Sequence, residues 1–174
     1  HLTIAGYVFY VATPRGVVVL DMDDPLKPKV LATIDLADAR SSALQFRYLF
    51  VADGGGLSVV DVTKPSEPRV VPGARVAMQD ARRVYLARTF AYVAAGAEGL
   101  AIVDIEQAEQ PKLYQLYNAG GKITDATDVI AASTNASLFA YIADGANGLH
   151  VVQLTAPDTQ PRYYGFSPDP KPEL

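Results

Sequence analysis

One apolar phrase is written four times along this chain, and that recurrence restricts the fold more than any other property of the sequence. The copies are YVATPRGVVVLDMDDPLKP from Tyr10, FVADGGGLSVVDVTKPSEP from Phe50, YVAAGAEGLAIVDIEQAEQP from Tyr92 and YIADGANGLHVVQLTAPDTQP from Tyr141. Their closing prolines, Pro28, Pro68, Pro111 and Pro161, stand 40, 43 and 50 residues apart. Four-stranded propeller blades repeat at about 40–45 residues. Two insertions, YNAGGKITDATD and ASTNAS, lengthen the last interval.

Each copy holds two short runs of β-branched and aromatic residues separated by a Gly-rich break, the pattern of a β-hairpin. Gly54, Gly55 and Gly56, or Gly96 and Gly99, suit a turn or bulge that needs backbone freedom. The run LAIVDI does not alternate apolar with polar residues, so it reads as a strand covered on both faces. A further strand precedes each hairpin: LTIAG at 2–6, ALQF at 43–46, RVYLA at 83–87 and DVIAA at 128–132. Another follows the proline: KVLATI at 29–34, RVVPG at 69–73, KLYQLY at 112–117 and RYYGF at 162–166. No segment sustains a 3.6-residue period, which excludes a helical solenoid. Four strands per unit, apolar on both sides, predict an all-β propeller of four-stranded antiparallel blades. The expected repeats are about 1–34, 35–73, 74–117 and 118–166, with about four blades present as part of a larger ring. Residues 167–174, with prolines at alternate positions, are expected to form an extended tail, either a linker or an end lying on a partner.

The segments GLAIVDI and GLSVVDVTKPSEPRVV resemble the LVIVD-repeat family, whose copies run through Tyr-Val-Ala, Asp-Gly, Gly-Leu, three aliphatics, Asp and a Pro-containing turn. The likeness spans about residues 7–166 and is strongest in the second repeat. The first repeat has Thr13-Pro14 for Asp-Gly, the third has Ala95 for Asp, and the fourth has Gln153 for the strand Asp. The resemblance implies a β-propeller in a secreted or surface-associated protein, often within a larger multidomain chain, and it brings no family-wide catalytic residues.

Composition narrows the function classes. With 49% hydrophobic and 20% charged residues the chain suits a packed domain, and its net charge of -4 argues against a nucleic-acid partner. No apolar run reaches the roughly 18–20 residues of a membrane-spanning helix. The absence of cysteine removes disulfides, thiol nucleophiles and iron–sulfur ligation. The opening residue is His1 with no Met before it, which reads as a processed or truncated start.

No catalytic, cofactor or metal set emerges. Asp21, Asp61 and Asp104 recur after the aliphatic strand, where a carboxylate closes a turn by accepting backbone N–H groups. DGGG at 53–56 and DGANG at 144–148 lack the alternating oxygens of a calcium loop and the Lys and helix of a phosphate loop. His1 and His150 could share a metal only if the fold joined them, and His150 falls in an expected buried strand. Asp125 and Asp128 could act as paired carboxylates but sit in a loop where solvation is ordinary. Asn135 in NAS matches the glycosylation pattern.

Sorting loops by face is more informative. In an antiparallel meander the turn between strands two and three shares a side with the connection to the next blade. That side gathers Asp53, Arg75, Asp80, Arg82, Glu98, Lys122, Asp125 and Asn147 as a candidate binding face. The expectation is a non-catalytic scaffold for protein–protein interaction in an extracytoplasmic or cell-surface assembly, without cofactor. Its partner would be another protein or the remaining blades of a larger propeller, and a small-molecule ligand stays unknown. Two alternatives stay open: a lactonase-like hydrolase with a site in the central channel, and a glycan-binding or adhesion module using the tyrosines.

Overall fold

The structure is a computed structural model, and it describes residues 1–134, 136–158, 160 and 167–174. Among the described residues, fifteen strands form four antiparallel sheets, each taken from one stretch of chain. Blade 1 comprises β1 (Leu2–Ala5), β2 (Val8–Thr13), β3 (Gly16–Asp21) and β4 (Lys29–Ile34). Blade 2 comprises β5 (Ala39–Gln45), β6 (Tyr48–Asp53), β7 (Gly56–Asp61) and β8 (Arg69–Ala77). Blade 3 comprises β9 (Arg83–Ala87), β10 (Phe90–Ala94), β11 (Leu100–Asp104) and β12 (Lys112–Tyr117). Blade 4 contains β13 (Ala126–Thr134), β14 (Ser137–Asp144) and β15 (Leu149–Thr155). Every sheet pairs its strands in chain order, the meander of a propeller blade.

The hairpin positions read from the sequence hold, and β4 and β12 match their expected limits. Two inner strands extend further than expected, β5 back to Ala39 and β13 from Ala126 to Thr134. Strand β8 also runs past Gly73 to Ala77, because Val71–Ala74 bulge out opposite the single residue Val59 and the ladder then resumes. Pro72 and Gly73, at φ 76°, lie in that bulge. The expected strand at 162–166 lies outside the described residues, as does Asn135. Beside β15, the tail takes up the outer position: Gln153 and Glu173 exchange backbone hydrogen bonds of 2.8 and 2.9 Å, and the Lys171 amide donates to the Leu154 carbonyl. Through these bonds the tail is docked on its own blade, neither leading away from it nor lying on a partner.

Apolar side chains explain why the sheets stand face to face. Three buried clusters separate the four blades. One joins Tyr10, Val17 and Val19 of blade 1 to Leu49, Val51 and Val60 of blade 2. The second joins Phe50, Leu57 and Val59 to Ala91, Val93, Ala101 and Val103 of blade 3. The third joins Tyr92, Leu100 and Ile102 to Val129, Ala140, Ile142 and Val152 of blade 4. Blades 2 and 3 are therefore covered on both sides, which is why LAIVDI lacks alternation. The inner strands β1, β5, β9 and β13 make the contacts from blade 1 to 2, 2 to 3 and 3 to 4. No contact of comparable extent joins blade 4 back to blade 1 among the described residues. The four blades form an open arc. No helix among the described residues is long and apolar enough to cross a membrane.

Burial of this kind dominates the energetics, at about 1.5–3 kcal/mol for each large aliphatic side chain removed from water. Truncating Leu100, fully buried between blades 3 and 4, to Ala is expected to cost about 2–5 kcal/mol in a urea titration. Leu26→Ala, at a fully solvated turn, is expected to cost less than about 0.5 kcal/mol in the same titration.

Candidate functional site

The connections between blades carry a short signal that recurs with the repeat. Asp38-Ala39-Arg40 leads into blade 2, Asp80-Ala81-Arg82 into blade 3, and Asp125-Ala126-Thr127 into blade 4. The middle alanines are buried, which fixes where the flanking charges emerge. Arg40 binds Asp38 at 2.7 Å and also reaches Asp80 at the next junction. Arg82 in turn binds Asp80 and Asp125, both at 2.7 Å. The result is a chain of charges, Asp38–Arg40–Asp80–Arg82–Asp125, running across three blades. The Arg82 and Arg40 guanidiniums hold the Asp80 carboxyl below the usual carboxylate range, and Asp80 in turn raises Arg82. These side chains are about a third to a half exposed, so each pair contributes modestly, of order 0.2–1 kcal/mol.

The hairpin glycines of blades 2, 3 and 4 fit against this chain. A Cβ on Gly54, Gly96 or Gly145 would come within 2.2, 2.5 or 2.4 Å of a carboxylate oxygen of Asp38, Asp80 or Asp125 respectively. Glycine at this hairpin position therefore makes room for the aspartate of the same blade's entry loop, after Asp53 and Asp144 and equally after Ala95.

The aspartate before that glycine has a separate duty. In blade 2, Asp53 is buried and receives both Nη atoms of Arg75 at 2.7 Å, the Gly55 amide at 2.8 Å and the Ser58 hydroxyl at 3.4 Å. In blade 4, Asp144 is fully buried. It accepts from the Thr124 and Asp125 amides, from Asn147 Nδ2 at 3.1 Å, and pairs with His150 Nε2 at 3.0 Å. Burial alone would push the Asp144 carboxyl up, but these hydrogen bonds outweigh it and the group titrates below its ordinary range. Where blade 3 has Ala95 in place of the aspartate, the strand position facing it is Ala101. The polar residues Ser58 and His150 at that strand position accompany the aspartate.

The eight residues of the expected binding face are at one rim, gathered into small groups. Arg75 meets Asp53, and Arg82 joins Asp80 to Asp125. Glu98 accepts from the Gln79 amide at 2.9 Å, and Asn147 donates to Thr124 as well as Asp144. Lys122 is exposed on the connection into blade 4. Sequence reasoning passed over Asp38 and Arg40, although the repeated Asp-Ala-Arg was a signal for them, and it weighed the Asp144 loop and His150 separately without pairing them. The turn aspartates behave as expected: Asp21, Asp61 and Asp104 accept from the amides of Asp23, Thr63 and Glu106 at 2.8–2.9 Å. Asp125 and Asp128 bind separate arginines, Arg82 and Arg83. His1 accepts from the Ser42 amide through Nδ1, whereas His150 serves Asp144, so the structure does not bring the two histidines together. No group of three or more potential metal ligands occurs among the described residues. At the other rim, Arg47, Asp61, Lys64, Glu67 and Arg69 line a depression of about 380 Å³. Tyr10 and Tyr92 are core residues, their hydroxyls pushed up by burial.

The model of the LVIVD repeat matches residues 38–72, 79–119 and 126–157, one match in each of blades 2, 3 and 4. This chain belongs to the LVIVD-repeat family. Blade 1 lies outside the matched residues, yet it has the same four-stranded meander as blades 2 and 3 and packs its own buried residues against blade 2. No curated protein matches the chain. Among solved structures, the N-terminal domain of Nup159 is similar at 13% identity and a TM-score of 0.56, over 88% of this chain and 40% of that one. Nup159 in an S. cerevisiae complex titled as dbp5 bound to nup159, gle1, ip6 and adp gives 14% identity, a TM-score of 0.56, and 90% and 40% coverage. A DUF4623 family protein from Bacteroides eggerthii gives 13% identity, a TM-score of 0.51, and 88% and 41% coverage. These likenesses concern the fold, and the chain spans about 40% of the length of the propeller-like structures it matches.

Because the Asp80 and Asp144 carboxyls are depressed in the folded state, their contribution is complete above the ordinary carboxylate value near pH 4 and is lost as pH falls through the lowered values. Asp144→Asn is expected to cost about 1–3 kcal/mol at pH 7. It should also flatten the decline in stability below pH 4, as read from urea midpoints across pH.

Proposed function

We propose that this chain is a non-catalytic LVIVD scaffold, four blades of a ring with more than four, and that it works by binding protein. The observation that carries this reading is the state of the two end blades. Leu2 and Ile4 on blade 1, and Ile130, Leu149 and Val151 on blade 4, are large aliphatic residues in open contact with water. A contiguous apolar surface of this sort on a folded domain marks an interaction site. The similar domain of Nup159 occurs in a complex titled as dbp5 bound to nup159, which supports protein as the kind of partner for such a fold. The rim of ion pairs supplies a second, polar surface, with Lys122 and Glu98 at its edge. An extracytoplasmic or cell-surface location belongs to the same proposal and rests on the resemblance of the repeat to secreted and surface-associated proteins.

The charged groups at the rim support a scaffold over a hydrolase, because each carboxylate described there is committed to an arginine, a backbone amide or a histidine of the same fold. The test uses a hydrophobic dye whose fluorescence rises on apolar surface. At concentrations low enough that nothing covers the end faces, the chain is expected to bind it, and Ile4→Asp with Leu149→Asp to abolish most of the signal while leaving the circular dichroism spectrum unchanged. Dye binding that ignores both substitutions contradicts the end faces as binding surfaces. A stoichiometric metal retained by the purified chain would favour the hydrolase instead.

A further inference from the structure

The two free faces are the two halves of a joint that the chain already makes three times. In blade 3, Tyr92 pairs across the sheet with Ile102 and Ala94 with Leu100. The same register in blade 4 pairs Tyr141 with Val151 and Ala143 with Leu149. Leu100 and Ile102 are 0% exposed because blade 4 lies on them, whereas Leu149 and Val151 are 64% and 44% exposed. The opposite side follows the same rule. Leu49 pairs with Val60 in blade 2, and both are buried under blade 1. Their equivalents in blade 1 are Phe9 and Leu20, joined in one row by Ile4, which is 59% exposed. The next row brings Leu2, Val11 and Val18 together on that face.

We propose that these faces close on each other between two copies of this chain, blade 4 of each copy covering blade 1 of the other. The inference rests on reading the end faces as binding surfaces and names what binds them. Each chain carries one half of the joint at each end, so a two-fold arrangement forms the joint twice and leaves neither face open. The result is a ring of eight blades, within the range of about four to eight usual for propellers. The chemistry of the occupant is set by the repeat. The covering sheet must present aliphatic residues at the positions of Leu49, Val51 and Val60 to meet a face like that of Leu149 and Val151, and blade 1 presents Phe9, Val11 and Leu20 there.

The experiment is sedimentation velocity on the 174-residue chain from low to high micromolar concentration, with Ile4→Asp and Leu149→Asp measured separately. The expected result is a species of twice the 18.6 kDa chain mass that either substitution alone converts to monomer, with unchanged circular dichroism. Both positions are exposed within one chain, so neither substitution disturbs the fold of the arc. A monomer at every concentration overturns the proposal, as does a dimer that survives both substitutions or an open-ended series of oligomers. A monomer whose dye binding depends on Ile4 and Leu149 removes the second copy but leaves the end faces as binding surfaces. A monomer whose dye binding is indifferent to them removes both readings.

Discussion

Everything in this molecule depends on the burial of one sheet's aliphatic face by the next. An isolated four-stranded sheet with valine, leucine and isoleucine on both sides cannot satisfy both sides by folding on itself. Stacking copies around an axis solves the problem for every interior blade and transfers it to the ends. Tyr10, Phe50, Tyr92 and Tyr141 occupy one repeat position, and the first three are buried while Tyr141, with no blade beyond it, is half-buried. Exposure is set here by neighbours and not by residue type.

Polar residues then fix the register that the apolar faces leave loose. Aliphatic faces are tolerant of sliding, whereas Arg40 can reach Asp80, and Arg82 can reach Asp125, only when successive blades sit at one height and angle. The hairpin glycines belong to the same device, since Gly54, Gly96 and Gly145 make room for Asp38, Asp80 and Asp125. The buried aspartates of blades 2 and 4 tie the hairpin either to its own sheet through Arg75 or to the incoming loop through Thr124 and Asp125. The repeats of blades 2, 3 and 4 therefore each encode a face and a clasp.

The face was legible from sequence, because β-branched runs without alternation report two-sided burial directly. The hairpins and the Asx turns at Asp21, Asp61 and Asp104 were legible for the same local reason: the interacting groups are two residues apart. The clasp was harder to see, since Arg40 and Asp80 are 40 residues apart and meet only after the blades have stacked. His150 was obscured in the same way. It looks like an odd residue in an apolar strand until Asp144 is placed beside it. Phe46 and Arg88 at φ 54° and 57° were also hidden, because two-residue turns between the first and second strands favour glycine or asparagine, as Gly6 announces in blade 1. The length of β8 escaped because Pro72 and Gly73 read as an end and serve as a bulge.

The stacking itself can be tested through a contact that exists only if blade 1 stands against blade 2. Thr3 Oγ1 on β1 and Ser42 Oγ on β5 lie 2.8 Å apart, 39 residues distant in sequence. The chain contains no cysteine, so Thr3→Cys combined with Ser42→Cys introduces the two thiols alone. Mild oxidation of the folded double variant, read by intact mass after alkylation, is predicted to give an intramolecular disulfide and no alkylated thiol. Two freely alkylated cysteines on a folded chain would contradict the face-to-face arrangement of the blades.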